Sequence, residues 1–364
     1  MINSFKFGSV VDDPFFTNRV EELAKVKQIL ESNNHLVMIS PRRFGKTSLI
    51  RKTVKNLKRD VLSLDLQLVS GVEDFAAQYL KRIYRIFPSE KIKHLIKNFR
   101  IIPSLSLNPI NNEVDISFKA TESTLPLLED VLNLLEQLCN SKHRAIVILD
   151  EFQEVMRLEK GFDKKLRSIM QFHKNINYVF LGSQESMMRE IFEKKKSPFY
   201  HFGLFFQLQK IEKSHFKIFL TTGLKNICKQ PEKLADEILL FTDGHPYYTQ
   251  QLAYTVWNNV NQKASQIHAV KNAIEETIQT HDLDYERLWN TFNKTDKKTI
   301  IGLSQGNHLP LSQSGLNKNN SVATSTIFSS LKRLMQNGYV IKTNKGYEID
   351  DPFFNSWTIK RREL

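Results

Sequence analysis

The sequence predicts an α/β fold: a doubly wound parallel sheet, followed by a helical lid domain and a C-terminal winged helix. Three observations predict it. Up to about residue 210, short apolar runs alternate with segments of helical period, the pattern of a parallel sheet with helices on its faces. Beyond that point the strand signals stop. Residues 286–364 then read as three helices and two alternating segments around a turn, the order of a winged helix-turn-helix.

The run at 35–40 (HLVMIS) leads straight into a basic loop, after which 47–59 (TSLIRKTVKNLKR) has helical period; this is a strand, a loop and a helix. A second strand over 61–69 and a helix from Glu73 to Phe87 repeat the order. Residues 101–118 alternate on both sides of an Asn-Pro and an Asn-Asn turn, which reads as a β-hairpin insertion or equally as a loop. The pattern resumes with a helix over 124–141, strand 145–151 (AIVILDE), a helix over 163–174, and strands 178–183 and 204–209. Three expected domains follow: 1–210, α/β; 211–285, helical; 286–364, winged helix, whose helix 324–338 takes Ile327, Phe328, Leu331 and Leu334 as core. Residues 310–320 (PLSQSGLNKNN) are expected to form a short helix or turn.

Composition bounds the partners. Fifty-two Lys plus Arg against 39 Asp plus Glu give a net charge of +13, which favours nucleotides, nucleic acid or an anionic surface without choosing among them. A compositional bias toward Lys, Asn and Ile accounts for the charge equally well. The two cysteines, Cys139 and Cys228, form no metal-binding spacing. No signal peptide and no apolar run of membrane-spanning length is read, so a soluble, cytoplasmic protein with no membrane partner is expected.

The chemistry begins at Ser40-Pro41-Arg42-Arg43-Phe44-Gly45-Lys46-Thr47. A phosphate-binding P-loop needs small residues so that backbone N–H groups can wrap phosphate oxygens, a lysine to reach the β- and γ-phosphates, and a hydroxyl to ligate Mg²⁺. Gly45, Lys46 and Thr47 supply these, and Ser40 stands where the motif usually has its first glycine. Ser40 to Ser48 are therefore the nucleotide-binding candidates. Arg42 and Arg43 either offset phosphate charge or point outward to a neighbouring domain. About 100 residues on, AIVILDE ends in Asp150-Glu151 at the C-terminal edge of a buried strand, where open α/β sheets bind ligands. Asp150 would hold Mg²⁺ through water, and Glu151 would act on the attacking water as general base; the plain alternative is that Asp150 caps the next helix. Ser183, after Gly182, is the candidate γ-phosphate sensor or an N-cap, with Gln184 as its rival.

Taken together, SPRRFGKTSLI, DEFQEV, LGSQESMM, GHPYYTQQLA and the terminal DPFF..W resemble the archaeal-type ATPase family of the signal-transduction ATPases with numerous domains (STAND), relatives of the origin-recognition-type AAA+ proteins. The resemblance covers nearly the whole chain and implies an AAA+-like (ASCE) P-loop core that binds ATP or ADP with Mg²⁺. It further implies that Phe16, Asn18, Arg19 and Glu22-Leu23 border the adenine pocket and that Pro246, the proline of Gly244-His245-Pro246, lies against the base. Asn18 departs from the family's usual glycine, and Pro246 also reads simply as a helix start. An arginine supplied from a neighbouring domain or subunit is expected, and the sequence does not identify it.

Two functions follow from this. One is an ATP-hydrolysing regulatory switch, slow without a partner, whose winged helix moves with nucleotide state and which acts through a protein partner or self-assembly. The other is a DNA-binding winged-helix protein that holds nucleotide as a structural ligand. Residues 286–364 carry twelve Lys plus Arg against six Asp plus Glu, and Ser325, Thr326, Ser329, Lys332, Arg333, Lys342 and Lys345 are the candidates to meet double-stranded DNA. The same module also serves as an internal lever. A nucleotide kinase is disfavoured for want of an arginine-rich lid, and no nuclease pattern is visible.

Overall fold

The computed structural model describes residues 2–107, 114–120, 123–262, 268–311 and 323–362. The chain forms two compact units, one of Val20–Ser40 and Leu49–Leu208, the other of Met1–Arg19, Pro41–Ser48 and Gln209–Leu364.

In chain order the elements through residue 208 are α1 (Val20–Glu31), β1 (Leu36–Ile39), α2 (Lys46–Lys55), β2 (Asp60–Asp65), α3 (Val72–Ile86), α4 (Ser89–Ile96), β3 (Ser104–Leu107), β4 (Val114–Ser117), α5 (Leu125–Leu138), β5 (Ala145–Asp150), α6 (Val155–Leu158), α7 (Phe162–Met170), β6 (Ile176–Gly182), α8 (Glu185–Glu193) and β7 (Leu204–Gln207). Five strands form one parallel sheet in the order β2-β5-β6-β1-β7. Its central strands are apolar without interruption because helices cover both faces: all of β1 and β6 and the first five residues of β5 are buried. Parallel strands share one C-terminal edge, so Ser40, Asp150-Glu151 and Ser183 emerge on the same side of the sheet. Ser40 is tied there by its N–H, which donates to the Gly182 carbonyl at 3.3 Å.

The expected insertion is a separate two-stranded antiparallel sheet, β3 with β4, in register Ser104 to Ser117; its Asn-Pro and Asn-Asn turn lies outside the described residues. The second strand is shorter than expected. It stops at Asp65 because the Asp65 carboxylate accepts the Gln67 N–H at 2.9 Å and turns residues 66–68 into a short 3₁₀ helix.

The other unit contains α9 (Lys213–Leu224), α10 (Pro231–Thr242), α11 (Pro246–Asn261), α12 (Ala269–Thr280), α13 (Asp282–Thr291), α14 (Lys294–Ser304), α15 (Thr324–Gln336), the antiparallel wing β8 (Val340–Thr343) and β9 (Gly346–Ile349), and α16 (Pro352–Arg361). Helix α16 closes this core with Phe353, Phe354 and Trp357, all buried, and is started by Asp351, whose carboxylate accepts the N–H groups of Phe353 and Phe354. The expected helix or turn at 310–320 lies almost wholly outside the described residues. Among the described residues no helix is long and apolar enough to cross a membrane.

One core expectation is corrected. Phe328 is 55% exposed, and Ser330 is buried in its place. Ile327, Leu331 and Leu334 lie three and four residues apart on one helix face, Ser330 falls within that face, and Phe328 falls about 100° round from Ile327. The Ser330 hydroxyl donates to buried Asp296 at 2.5 Å, and Arg333 reaches the same carboxylate at 2.6 and 2.9 Å, so Arg333 is committed inside the winged helix.

His35, just before β1, is half-buried against Tyr178 and Phe202, at ring distances of 5.3 and 4.5 Å. Its Nδ1 accepts the Tyr178 N–H at 3.2 Å, which only the unprotonated nitrogen can do. Burial, then Arg167, Arg144 and His173, lower its pKa to about 4. The unfolded chain takes up that proton near pH 6.5 and the folded chain only near 4, so stability is full above 6.5 and declines as pH falls toward 4. Chemical-denaturation midpoints measured across that window should fall by an amount worth up to roughly 3 kcal/mol, and His35→Gln should flatten the decline.

Candidate functional site

In the unit that holds residues 41–48, the loop turns on two residues in the left-handed region, Arg43 (φ 65°) and Gly45 (φ 87°). A Cβ placed on Gly45 would meet nothing within 4 Å, so the backbone faces open space there. Lys46 opens the ten-residue helix α2. Its ammonium is buried and donates to the Pro41 carbonyl at 3.1 Å, closing the loop on itself. A tight loop with an open glycine side, a lysine and a helix N-terminus fits the phosphates of a nucleotide.

The loop is anchored at Phe44. Its ring is buried and meets His245 edge-on at 4.8 Å. Its carbonyl accepts from Arg19 at 3.2 Å, and the same buried guanidinium donates to the Gln209 carbonyl at 2.9 Å. Arg43 lies over the Tyr247 ring at 4.7 Å and donates to the Tyr248 hydroxyl at 3.1 Å. Burial, then Asp351 and Asp350, push the Tyr248 phenol well above its usual range, so it stays neutral beside the cation. Arg42 is exposed, and Ser48 accepts the Val11 N–H at 3.1 Å.

Pro246 is the first residue of α11, and His245 caps that helix by accepting the N–H groups of Tyr247 and Tyr248. The far side of the His245 ring meets Asp350, at the end of the wing, at 3.3 Å. Lys210 bridges Glu348 of β9 at 2.5 Å and Asp243 at 3.2 Å. The phosphate loop, the α11 cap and the wing thus form one continuous set of contacts. Sequence reasoning singled out Gly244-His245-Pro246 but missed Tyr247, Tyr248 and Asp350; the adjacent tyrosines were the available signal.

In the α/β unit the carboxylate pair sits where expected. Asp150 Oδ1 accepts the Glu151 N–H at 2.9 Å, so Asp150 binds its neighbour's backbone and does not cap the following helix. Glu151 is left-handed (φ 50°, ψ 47°). Its Oε2 accepts from the Ser183 hydroxyl at 2.6 Å and from the Gln153 amide. Gln184 takes the N-cap position of α8 while the Ser183 side chain turns to Glu151.

The parallel sheet, the phosphate loop that follows β1, the carboxylates at the end of β5 and the winged helix define a P-loop ATPase-like fold. Residues 16–252 match the model of an ATPase domain predominantly from Archaea, and the chain belongs to this family. Residues 283–360 match a model described as a "probable winged helix domain". The fold is similar to that of the Walker-type ATPase PABY2304 of Pyrococcus abyssi, at 19% identity and TM-score 0.67 over 95% of this chain and 97% of that one. It is also similar to the Aeropyrum pernix ORC2 protein, solved as ADPNP-ADP complexes, at 15% identity and TM-score 0.54 over 99% of each chain. The uncharacterized protein MJECL04 of Methanocaldococcus jannaschii is 24% identical over 302 residues, 80% of this chain; the chain spans about half (55%) of that relative's length.

Arg19→Ala should leave the Phe44 and Gln209 carbonyls short of a donor and lower stability by about 1–3 kcal/mol. Arg19→Lys should recover only part, since one ammonium does not reproduce a fork that reaches both. Denaturant titration of the two variants checks this; a fully stable alanine variant would contradict the anchoring.

Proposed function

We propose that this chain is a regulatory ATPase of the STAND type that binds and hydrolyses ATP with Mg²⁺, and whose nucleotide state sets the contacts of its winged helix. The modules are 1–210 for nucleotide chemistry, 211–285 as lid and 286–364 as output. The observation that carries the reading is the loop at Phe44: one segment offers Gly45 and Lys46 to phosphate and, through Arg43, His245 and Asp350, touches the lid and the wing. The family supports the nucleotide, and the ORC2 neighbour was solved with ADPNP and ADP.

In this reading Ser40 to Ser48 wrap the phosphates, Lys46 neutralises the transferred group, and Arg19 and Pro246 border the base. Thr47, with its hydroxyl, and Asp150, through water, would hold Mg²⁺, which would neutralise charge on the phosphate oxygens. Glu151 takes a proton from water as the water oxygen attacks the γ-phosphorus and the bond to the ADP oxygen breaks. Ser183 orients Glu151, or senses the γ-phosphate once that bond is exchanged.

Lys46→Ala should abolish or strongly weaken ATP binding in a calorimetric titration. Glu151→Gln should bind ATP as the parent does and hydrolyse it ~10²-fold or more slowly. Tight binding by the first variant, or full turnover by the second, would remove the respective role.

A second reading, an output to double-stranded DNA, is favoured by the outer face of α15, where Ser325, Thr326, Phe328, Ser329 and Lys332 are all exposed. Arg333 drops out of that face because Asp296 holds it. Lys332→Glu should weaken duplex binding in fluorescence anisotropy and flatten its salt slope by about 0.9 per lost phosphate contact. Arg333→Glu should instead lower thermal stability, because it sets a carboxylate against a buried one. Absence of binding at low salt in either nucleotide state would leave a protein partner or self-assembly as the output.

A further inference from the structure

We propose that Gln153 is a positioning residue for the Glu151 carboxylate, holding it jointly with Ser183 so that Oε1 is the oxygen left to receive the proton from water. The inference rests on the reading of Glu151 as the base.

Four observations converge on Gln153. First, Glu151 adopts a left-handed backbone that disfavours any residue with a Cβ, and such conformations persist only where their surroundings fix them. Second, both donors, the Ser183 hydroxyl and the Gln153 amide, fall on Oε2; among the described residues Oε1 receives none. Third, Gln153 is completely buried, and among the described residues its own Oε1 has no donor. A buried acceptor left without a partner costs about 1–3 kcal/mol, so this amide is a poor choice for stability alone. Its orientation is fixed by chemistry, because an ionised carboxylate only accepts and the NH₂ end must face it. Fourth, the Gln153 amide is closely confined: a Cβ on Gly182 would run into Met188 Cγ and stand 2.9 Å from Gln153 Oε1, so the glycine leaves space for both side chains.

The turn that carries these groups is rigid. Phe152, between Glu151 and Gln153, is buried against Phe180, Phe192 and Phe199 at ring distances of 4.5, 5.5 and 5.2 Å. Gln153 therefore projects from a fixed 3₁₀ turn, and its hydrogen bond sets the carboxylate's direction rather than following it. Ser183 comes from the neighbouring strand end, so the two donors reach Oε2 from different elements.

Gln153→Met keeps the volume, removes the donor and also removes the orphaned acceptor. Steady-state phosphate release by the full chain with Mg-ATP should show kcat reduced by up to about 10²-fold with KM unchanged, while the thermal midpoint stays equal or rises. A purely structural glutamine would give the reverse, a lower midpoint with kcat intact, and that result overturns the proposal; so does a rise in kcat, which would make Gln153 a restraint. Gln153→Glu supplies a second measurement should the methionine variant misfold. Two carboxyl groups in contact titrate as a pair with one pKa raised, so the acid limb of the rate profile should move to higher pH. An unmoved limb counts against positioning. Glu151→Gln is run alongside: if it turns over like the parent, or the parent does not turn over, the reading of the site fails together with the inference. An inactive Glu151→Gln beside a fully active Gln153→Met overturns the inference alone.

Discussion

The phosphate loop is fixed at one residue, and much of its unit is arranged around that fixing. Phe44 has its ring against His245 and its carbonyl on Arg19, so the left-handed residues on either side, Arg43 and Gly45, have no freedom to relax. Of residues 41–45 only Phe44 is buried, so it alone carries the anchor. With it, Arg43 is aimed at Tyr247 and Tyr248, and Gly45 presents backbone to open space. His245 is shared three ways, as partner of Phe44, cap of α11 and neighbour of Asp350, so the loop and the end of the wing have one side chain in common.

The α/β unit solves a different problem, that of holding a carboxylate still at the end of a strand. Burial of β5 and its neighbours fixes the strand, and the Phe152 aromatic cluster fixes the turn after it. The carboxylate then needs only short-range hydrogen bonds, which Ser183 and Gln153 provide. The cost is a left-handed glutamate and a buried amide oxygen without a donor, local losses that a well-packed sheet tolerates.

Most of the architecture is legible in the sequence because buried parallel strands are continuous apolar runs, and the P-loop and Asp150-Glu151 are local motifs whose chemistry dictates their spelling. What escaped depends on which side chain claims which partner, near or far along the chain. Nothing near Arg333 says that Asp296 will claim it, and nothing near Ser330 says that a buried carboxylate will meet it, although the spacing of Ile327, Leu331 and Leu334 already turns Phe328 out of their face. The early end of β2 turns on one Asp65 side chain competing with the ladder. Gln153 looked like an ordinary polar residue after a motif; only its burial and its partner give it a role.

The central claim is that the loop at Phe44 transmits nucleotide state to the wing. Hydrogen exchange of the Glu151→Gln protein, with Mg-ADP and then with Mg-ATP, tests it most directly. The account predicts that exchanging one nucleotide for the other changes protection both in residues 244–250 and in residues 340–350. Equal protection of those two segments in both states, with residues 41–48 protected by either nucleotide, would show that nucleotide binds without informing the winged helix and would contradict the account.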